Sequence, residues 1–226
     1  MNENINFELF SELNVEQSKI QNLKSKIGVG IGFENQAISE GFRFIAGVDE
    51  VGRGCLAGCV VAAACILDLS KPLPAGLNDS KKLSAKKRES LDSQIKENAL
   101  SYAIAQVEAD EIDQINILEA TKKAMRLAIE KLNPSADFLL IDAVQLKTIF
   151  TPQKAIIHGD AISASIAAAS IIAKTYRDNL MKEMCKIYPA YGFSKHVGYG
   201  TKAHFEALRT HGACELHRKS FRGVLG

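Results

Sequence analysis

The sequence predicts an α/β fold: a mixed central β-sheet flanked by α-helices, with a small helical region toward the C-terminus. Three observations point there. Three strand-like runs follow one another between residues 44 and 107, and later strands come only after an intervening helix, a pattern that mixes strand senses. The chain has 226 residues, 46% of them hydrophobic, enough core for one domain plus a small appendage.

The elements are expected in this order. Residues 1–42 read as an N-terminal extension and linker, with an amphipathic helix over Val15–Ile27 and then the run Gly28-Val29-Gly30-Ile31-Gly32. That run is not a dinucleotide fingerprint, since no strand precedes it and Gly32 falls one residue early; it reads as a flexible connector. Residues 43–226 form the main domain. Strands are expected at Phe44–Val48, Cys59–Leu67 and Leu100–Val107, with a Pro-, Gly- and Asn-bearing loop over Leu73–Leu83. Ser84 caps a helix running to about Asn98, with Leu91 and Ile95 one turn apart. Asn116 and Glu119 make a capping-box-like start for a helix carrying Ala120, Ala124, Ala128 and Leu132, stopped by Asn133-Pro134. Short strands follow at Phe138–Asp142 and Ala155–His158. Ser163 opens a long helix to about Tyr188, with Ile166, Ala169, Ala173, Tyr176, Leu180, Met184 and Ile187 inward and Lys174, Arg177, Asp178, Lys182 and Lys186 mostly elsewhere. Pro189 to Gly192 ends it, and Thr201 to Leu208 is a final helix before a basic tail.

Bulk numbers exclude several classes. Lys and Arg total 28 against 26 acids, a net charge of +2, so any basic footprint for nucleic acid must be local. The longest apolar run, Cys59–Leu67, is too short to span a bilayer, and Met1-Asn2-Glu3-Asn4 has neither basic nor apolar signal-peptide regions. No membrane association is expected, and the location expected is cytoplasmic. Five cysteines, an odd number, read as free thiols in a reducing compartment. Cys55, Cys59 and Cys65 lack the second ligand pair of a zinc site.

The chemistry concentrates in acids that close apolar runs. Asp49-Glu50 precedes Val51-Gly52-Arg53-Gly54, Asp142 ends Phe138-Leu139-Leu140-Ile141, and Asp160 follows Gly159 at a helix entrance. An isolated Asp-Glu is usually a solvated turn. Carboxylates gathered at one core edge raise one another's pKa, and a divalent cation between them reverses that cost. Neighbouring strand residues point to opposite faces, so Asp49 and Glu50 share a site only if the strand ends there and turns. Gly52 and Gly54 permit such a turn, and Arg53 offers a charged fork to phosphate.

Taken together, several segments resemble ribonuclease HII. They are Ala46–Leu67, Asn78-Asp79-Ser80-Lys81-Lys82-Leu83-Ser84, Leu140–Ala143, His158–Arg177, Tyr188-Pro189 through Tyr199-Gly200-Thr201-Lys202, and His217-Arg218-Lys219-Ser220-Phe221. The likeness covers residues 43 to 222. It implies a ribonuclease H-like fold and a Mg²⁺- or Mn²⁺-dependent endonuclease, active as a monomer, on RNA–DNA hybrids and on duplex DNA containing ribonucleotides. It places Asp49, Glu50, Asp142 and Asp160 at the metals. It assigns Gly52-Arg53-Gly54 to the ribonucleotide 2′-hydroxyl, which distinguishes RNA from DNA, and Tyr199 to the neighbouring sugar. Hydrolysis is expected by in-line attack of water at a two-metal centre, leaving a 3′-hydroxyl and a 5′-phosphate. Members commonly carry prolines at the Cys55 and Cys59 positions and lysine at that of Ile162; those departures bear on turn rigidity and substrate affinity. The related ribonuclease HIII carries a larger N-terminal domain, for which residues 1–42 are too short. A non-catalytic hybrid-binding protein and a nucleotide-binding phosphotransferase are the alternatives, disfavoured by the full set of acids and by the lack of a phosphate-cradling loop.

Other residues carry lesser expectations. Ser80, Lys81 and Lys82, with Lys86, Lys87 and Arg88, form a basic cluster suited to phosphate contacts. Lys122, Lys123 and Arg126 read as helix surface, Asp178 as a salt-bridge partner, and Ala167–Ala169 as close helix–sheet packing. His196 and His204 are weak candidates for phosphate contact. Cys55 and Cys59 are also candidates for a disulfide across a tight turn. Because every site motif lies beyond Arg43, residues 1–42 are expected to be dispensable for cleavage.

Overall fold

The structure, a computed structural model, describes residues 29–225, so the helix expected over Val15–Ile27, and Gly28, lie outside the described residues. The described chain runs α1 (Gly32–Ser39), β1 (Ile45–Val51), β2 (Val60–Leu67), α2 (Ala85–Asn98), β3 (Ala99–Val107), α3 (Ala109–Ile115), α4 (Ile117–Glu130), β4 (Phe138–Asp142), β5 (Gln153–Ile156), α5 (Ala164–Ile187), α6 (Phe193–His196) and α7 (Lys202–His211). Short 3₁₀ turns occupy Ser80–Lys82, Gly159–Ala161 and Pro189–Tyr191. The sheet order is β3-β2-β1-β4-β5. β1 and β3 pair antiparallel with β2, and β4 pairs parallel with β1 and β5, so the sheet is mixed as expected.

Both faces of the sheet are covered, which is why β2 reads as an unbroken apolar run instead of alternating. Val60, Ala62, Ala64 and Ile66 face α4 through Ala120, Ala124, Met125 and Ala128. Val61, Ala63, Cys65 and Leu67 face α2 and α5 through Leu91, Ile95, Ala168 and Ile172. A small C-terminal cluster of Tyr191, Phe193, Leu208 and Val224 closes on Leu56, Ala57 and Met181. The caps act as read: Ser84 accepts from the Lys87 N–H, Asn116 from Leu118 and Glu119, and Ser163 from Ile166.

Several elements differ from expectation, each for a local reason. β1 continues to Val51, paired with β2 through Asp49, Glu50 and Val51, because β2 offers partners that far. β5 begins and ends earlier than residues 155–158, since His158 takes a left-handed φ of 57° and cannot continue a strand. The helix α3 had no capping signal: Glu108 makes no side-chain cap bond. In α5, the first turns are buried on all sides, with Ala167, Ala168, Ile171 and Ile172 fully covered, so no single stripe exists. Tyr176 and Ile187, expected inward, are 39% and 63% exposed, whereas Arg177, expected outward, is fully buried.

The connector expected over residues 28–32 is corrected for its described part. Gly30 bridges in parallel fashion to Ser163, donating to the Ile162 carbonyl and accepting from the Ala164 N–H. Behind it, Ala37, Phe33 and Phe42 pack on Ile45, Phe138, Leu140, Ile156, Ile162 and Ile166. Residues 30–42 thus belong physically to the main domain.

Candidate functional site

The acids meet at the end of the sheet where β1 and β4 run side by side. Val48 is opposite Ile141 in the parallel ladder, which sets Asp49 beside Asp142 on the neighbouring strand. Alternation puts Asp49 on the face of Gly47, the α5 side, where a Cβ on Gly47 would lie 1.9 Å from the Ser165 carbonyl carbon. Asp142 shares that side with Leu140. The Gly159 N–H donates to Asp142 Oδ1 at 2.7 Å, drawing the 3₁₀ turn that carries Asp160 over the same spot. The expectation that the strand ends at Asp49 is therefore overturned: Glu50 is a strand residue on the opposite face. It still reaches the site because β4 ends at Asp142, leaving the sheet end open beside it.

The electrostatics follow from the gathering. Burial, then the charges of Glu50 and Asp142, push the Asp49 carboxyl well above its ordinary value of 3.8, against the Ser170 hydroxyl and the Glu50 N–H, which donates to Asp49 Oδ1. Burial also raises Glu50, opposed by Arg53, with Asp142 adding to the rise. Asp142 is raised by burial and by Asp160, although the Gly159 N–H favours its charged form. Two cations offset this field. Lys81 Nζ lies 3.5 Å from Asp160 Oδ2, and Arg53 Nη1 lies 3.5 Å from Glu50 Oε1. Burial works to lower the Lys81 pKa, but Asp160, Asp49 and Asp79 outweigh it and hold the ammonium above its usual value. The rest of the basic cluster divides. Ser80 is buried, its hydroxyl paired with Ser170 at 2.9 Å. Arg88 is a brace, donating to the Ser80 and Leu83 carbonyls and to Asp178. Lys82 is exposed.

Beside the acids, the Gly52–Cys59 segment is held from below by two buried guanidiniums. Arg177 donates to the carbonyls of Cys59, Ala57 and Val197, and Arg218 to those of Gly58 and Arg53, all within 3.0 Å. Burial pushes Arg218 down to about 10. Gly52 has φ +94°, and a Cβ there would meet Arg177 Nε at 2.3 Å, so both its conformation and its space require glycine. Gly54 faces open space within 4 Å, which leaves its backbone accessible. Tyr199 is 40% exposed and bridges to Cys55 in antiparallel fashion, bringing its ring to the same side as the glycine segment.

The histidines serve this scaffold and not phosphate. His196 and His204 are buried and stacked 4.5 Å apart. His204 Nδ1 faces the Tyr199 carbonyl and must donate, so its Nε2 accepts from His217 Nε2 at 3.0 Å, and His217 Nδ1 accepts from the Cys214 N–H. Burial lowers both rings' pKa, that of His217 to about 4, which keeps this relay neutral. Lys122, Lys123 and Arg126 pair with Glu119, Glu111 and Glu130 as helix surface. Asp178 pairs with Arg88 and Lys174. The disulfide expectation fails. Both thiols are free and buried, with Cys55 directed at the Val197 carbonyl and Cys59 packed with Val61 and Ala63.

Sequence reasoning missed Arg177 and Arg218 as supports of the glycine segment. The available signal was a cation amid small apolar residues on α5, where an exposed face had been assumed. It also missed Glu34, which is fully buried against the entrance of α5.

Comparison with known proteins agrees with this arrangement. The profile of the family described as Ribonuclease HII matches residues 46–224. A ribonuclease HII of Desulfitobacterium hafniense (strain DSM 10664 / DCB-2) is 58% identical over 191 residues, covering 84% of this chain and 73% of the relative. One from Chlamydia caviae is 57% identical over 193 residues, 85% of this chain and 90% of the relative. Among solved structures, the ribonuclease H2 from Pyrococcus horikoshii OT3 superposes with a TM-score of 0.67 at 25% identity, over 80% of this chain and 95% of that one. With a match that spans every acid and both halves of the glycine segment's support, the chain belongs to the ribonuclease HII family and is a ribonuclease H-type hydrolase.

Proposed function

We propose that this protein is an endonuclease that hydrolyses the RNA strand of RNA–DNA hybrids and incises duplex DNA 5′ of an embedded ribonucleotide, in the cytoplasm and in the service of DNA replication and repair. The observation that carries it is the convergence of Asp49, Glu50, Asp142 and Asp160 at one sheet end, each of the first three raised by burial and by a neighbouring acid. Such a set is costly alone and favourable around divalent cations.

The residues fit Mg²⁺ or Mn²⁺. All four donors are hard carboxylate oxygens, and Lys81 already extends a positive charge among them. Among the described residues no three such side chains stand close enough to hold an ion by themselves; Mg²⁺ ordinarily keeps several waters and takes substrate phosphate as a ligand. When bound, the metal pair supplies activation of water and stabilisation of the leaving 3′-oxygen. The chain's own part is placement. Asp49 and Asp142 hold the α5 side of the sheet end, Asp160 covers it, and Glu50 bounds the other side. Arg53 and Lys81 present charge to the phosphates. The Gly52 and Gly54 backbone approaches the ribose 2′-hydroxyl, Gly52 held from beneath by Arg177 and Gly54 open to the outside, and Tyr199 supports the adjacent sugar. Lys82 and the surrounding loop contact backbone phosphate. We infer a monomer acting without a membrane.

The deciding experiment is cleavage of duplex DNA carrying a single ribonucleotide, beside an RNA–DNA hybrid, with Mg²⁺, with Mn²⁺ and with chelator. The expected products carry a 3′-hydroxyl and a 5′-phosphate, with the ribonucleotide on the downstream piece. A 2′,3′-cyclic phosphate, or cleavage that persists in chelator, refutes the mechanism.

A further inference from the structure

Glu34 is an acid in a place that the cleavage reaction does not obviously need. It sits on α1 and is 0% exposed. Its Oε1 accepts from Ser163 Oγ at 2.7 Å and from the Ser165 N–H at 2.9 Å, while Oε2 has no hydrogen-bond partner among the described residues. Among the described residues no Lys, Arg or His pairs with it. The first turn of a helix carries N–H groups without intrahelical partners and a partial positive charge, so a buried carboxylate there is compensated by the backbone itself.

What Glu34 holds is the junction of three site acids. Ser163 closes the Asp160 turn, its N–H donating to the Gly159 carbonyl at 2.8 Å, and the Gly159 N–H in turn holds Asp142. Ser165, the second residue bound by Glu34, lies with its carbonyl against Gly47 of β1, at a separation that excludes even a Cβ. Asp49 follows two residues later on that strand. Gly30 reinforces the same turn through Ile162 and Ala164. The entrance of α5 is thus wedged between α1 and β1, and the acids on β1, β4 and the 3₁₀ turn all take their spacing from it.

We propose that Glu34 is a positioning residue for the metal-binding acids: its buried carboxylate seats the first turn of α5 so that Asp160 is held against Asp142 and Asp49. The proposal rests on the reading of those acids as the metal site. It assigns a function to a segment that precedes every recognised motif. Only Oε1 carries hydrogen bonds, so reach matters more than charge. Glutamine keeps an oxygen at the same distance from Ser163 and Ser165. Aspartate keeps the charge but falls one methylene short.

The test measures Mn²⁺ binding directly, from the electron paramagnetic resonance signal of free Mn²⁺, in the full chain and in E34A, E34D, E34Q and D49N. Thermal melts and kcat and KM for a hybrid are recorded beside it. Outer partners of metal ligands are worth about 10–100-fold in affinity, so E34A and E34D are expected to weaken Mn²⁺ binding about tenfold or more, with E34Q within about threefold of the parent. Their kcat falls in step, while KM for the hybrid holds, because the glycine segment is untouched. Parental Mn²⁺ affinity in folded E34A or E34D overturns the proposal. So does an E34Q as weak as E34D, because that makes charge, not reach, the determinant. If E34A fails to fold, the E34D and E34Q pair decides. D49N separates the two readings: parental Mn²⁺ binding in D49N refutes the metal site itself, whereas loss in D49N with parental binding in E34D refutes only the role of Glu34.

Discussion

The acid end of the sheet and the Gly52–Cys59 segment touch through Arg53, yet they are built on opposite electrostatic terms. At the sheet end, carboxylates crowd together with burial and mutual repulsion raising their pKa values. In the glycine segment, two buried guanidiniums give their hydrogen bonds, among the described residues, to carbonyls beneath the loop. The first region gathers like charges at a cost that a bound cation would offset. The second is braced in the free protein, because the carbonyls of Arg53, Ala57, Gly58 and Cys59 already have guanidinium donors. Under the proposed function, chemistry and recognition are thereby separated: the acid end would take the metal, and the braced glycine segment would take the ribose.

The largest expected effect breaks the first region alone. Asp49→Asn removes a charge from the centre of the acid set, and cleavage should fall by more than about 100-fold, since even an outer partner of a metal ligand is worth 10–100-fold. The same variant should melt higher than the parent in chelator, because it removes repulsion. Parental turnover in Mg²⁺, measured on a hybrid, would remove Asp49 from the metal site.

Disturbing the second region should read differently. Arg177→Lys offers one ammonium to three carbonyls that now share a planar fork. Leaving buried acceptors unpaired should cost about 2–4 kcal/mol in urea unfolding, and KM for the hybrid should rise more than kcat falls. A variant with unchanged KM would show that the glycine segment does not depend on its support.

The two regions were not equally legible in the sequence. The acids announced themselves because charges ending apolar runs are conspicuous, and the strands carrying them were read to within a few residues. Their geometry was not read. Asp49 and Glu50 were assigned to a turn because the length of β1 depends on β2 offering partners out to Val61, information that is not local. Arg177 reads as outward because periodicity assigns cations to the solvent face, whereas the C-terminal cluster covers that side of α5 through Met181 and leaves Tyr176 and Ile187 exposed instead. Residues 30–42 were set apart because glycines read as a linker, while the bond from Ser163 to Glu34 spans 129 positions of sequence.

That misreading changes a third expectation. A chain beginning at Val29 should cleave as the parent does. One beginning at Arg43 loses Glu34 together with Phe33, Ala37 and Phe42, which cover Ile45, Leu140 and Ile166. Uncovering that cluster should cost about 2 kcal/mol or more and lower activity with it. Equal activity in both truncations, compared in one assay, would return residues 29–42 to the status of a dispensable extension.

A smaller effect follows from protonation. The folded-state pKa values of Asp49, Glu50 and Asp142 are raised above the ordinary 3.8 and 4.5. The folded protein therefore binds these protons more tightly than the unfolded chain. The associated stability is present below the ordinary carboxylate range and is lost as pH rises through the raised values. In chelator, the melting temperature of the parent should fall relative to that of Asp49→Asn as pH climbs through this window, and saturating Mg²⁺ should close the gap. A constant difference across pH would mean that repulsion at the sheet end is not what Asp49→Asn relieves.

The smallest expected effect concerns the thiols, and it tests whether the glycine segment is as settled as its hydrogen bonds indicate. Thiolate, not thiol, reacts with alkylating agents and oxidants. Burial raises Cys55, pushes Cys59 to about 11 and Cys65 to about 12, and all three have almost no exposed surface. Cys185 is the contrast: hydrogen bonding with the Ser194 side chain and backbone lowers its pKa at a near-surface position on α5. Iodoacetamide at neutral pH should therefore label Cys185 first, by peptide mass mapping, with no change in cleavage. Mild oxidation should leave activity intact, since Cys55 and Cys59 face different surroundings. Cys55→Ala should behave like the parent within about twofold, because its thiol makes only weak contacts, to the Val197 carbonyl and the Tyr199 side chain. Rapid labelling of Cys55 or Cys59, with activity falling in proportion, would mean that the segment opens in solution and that its two guanidinium supports do not hold it shut.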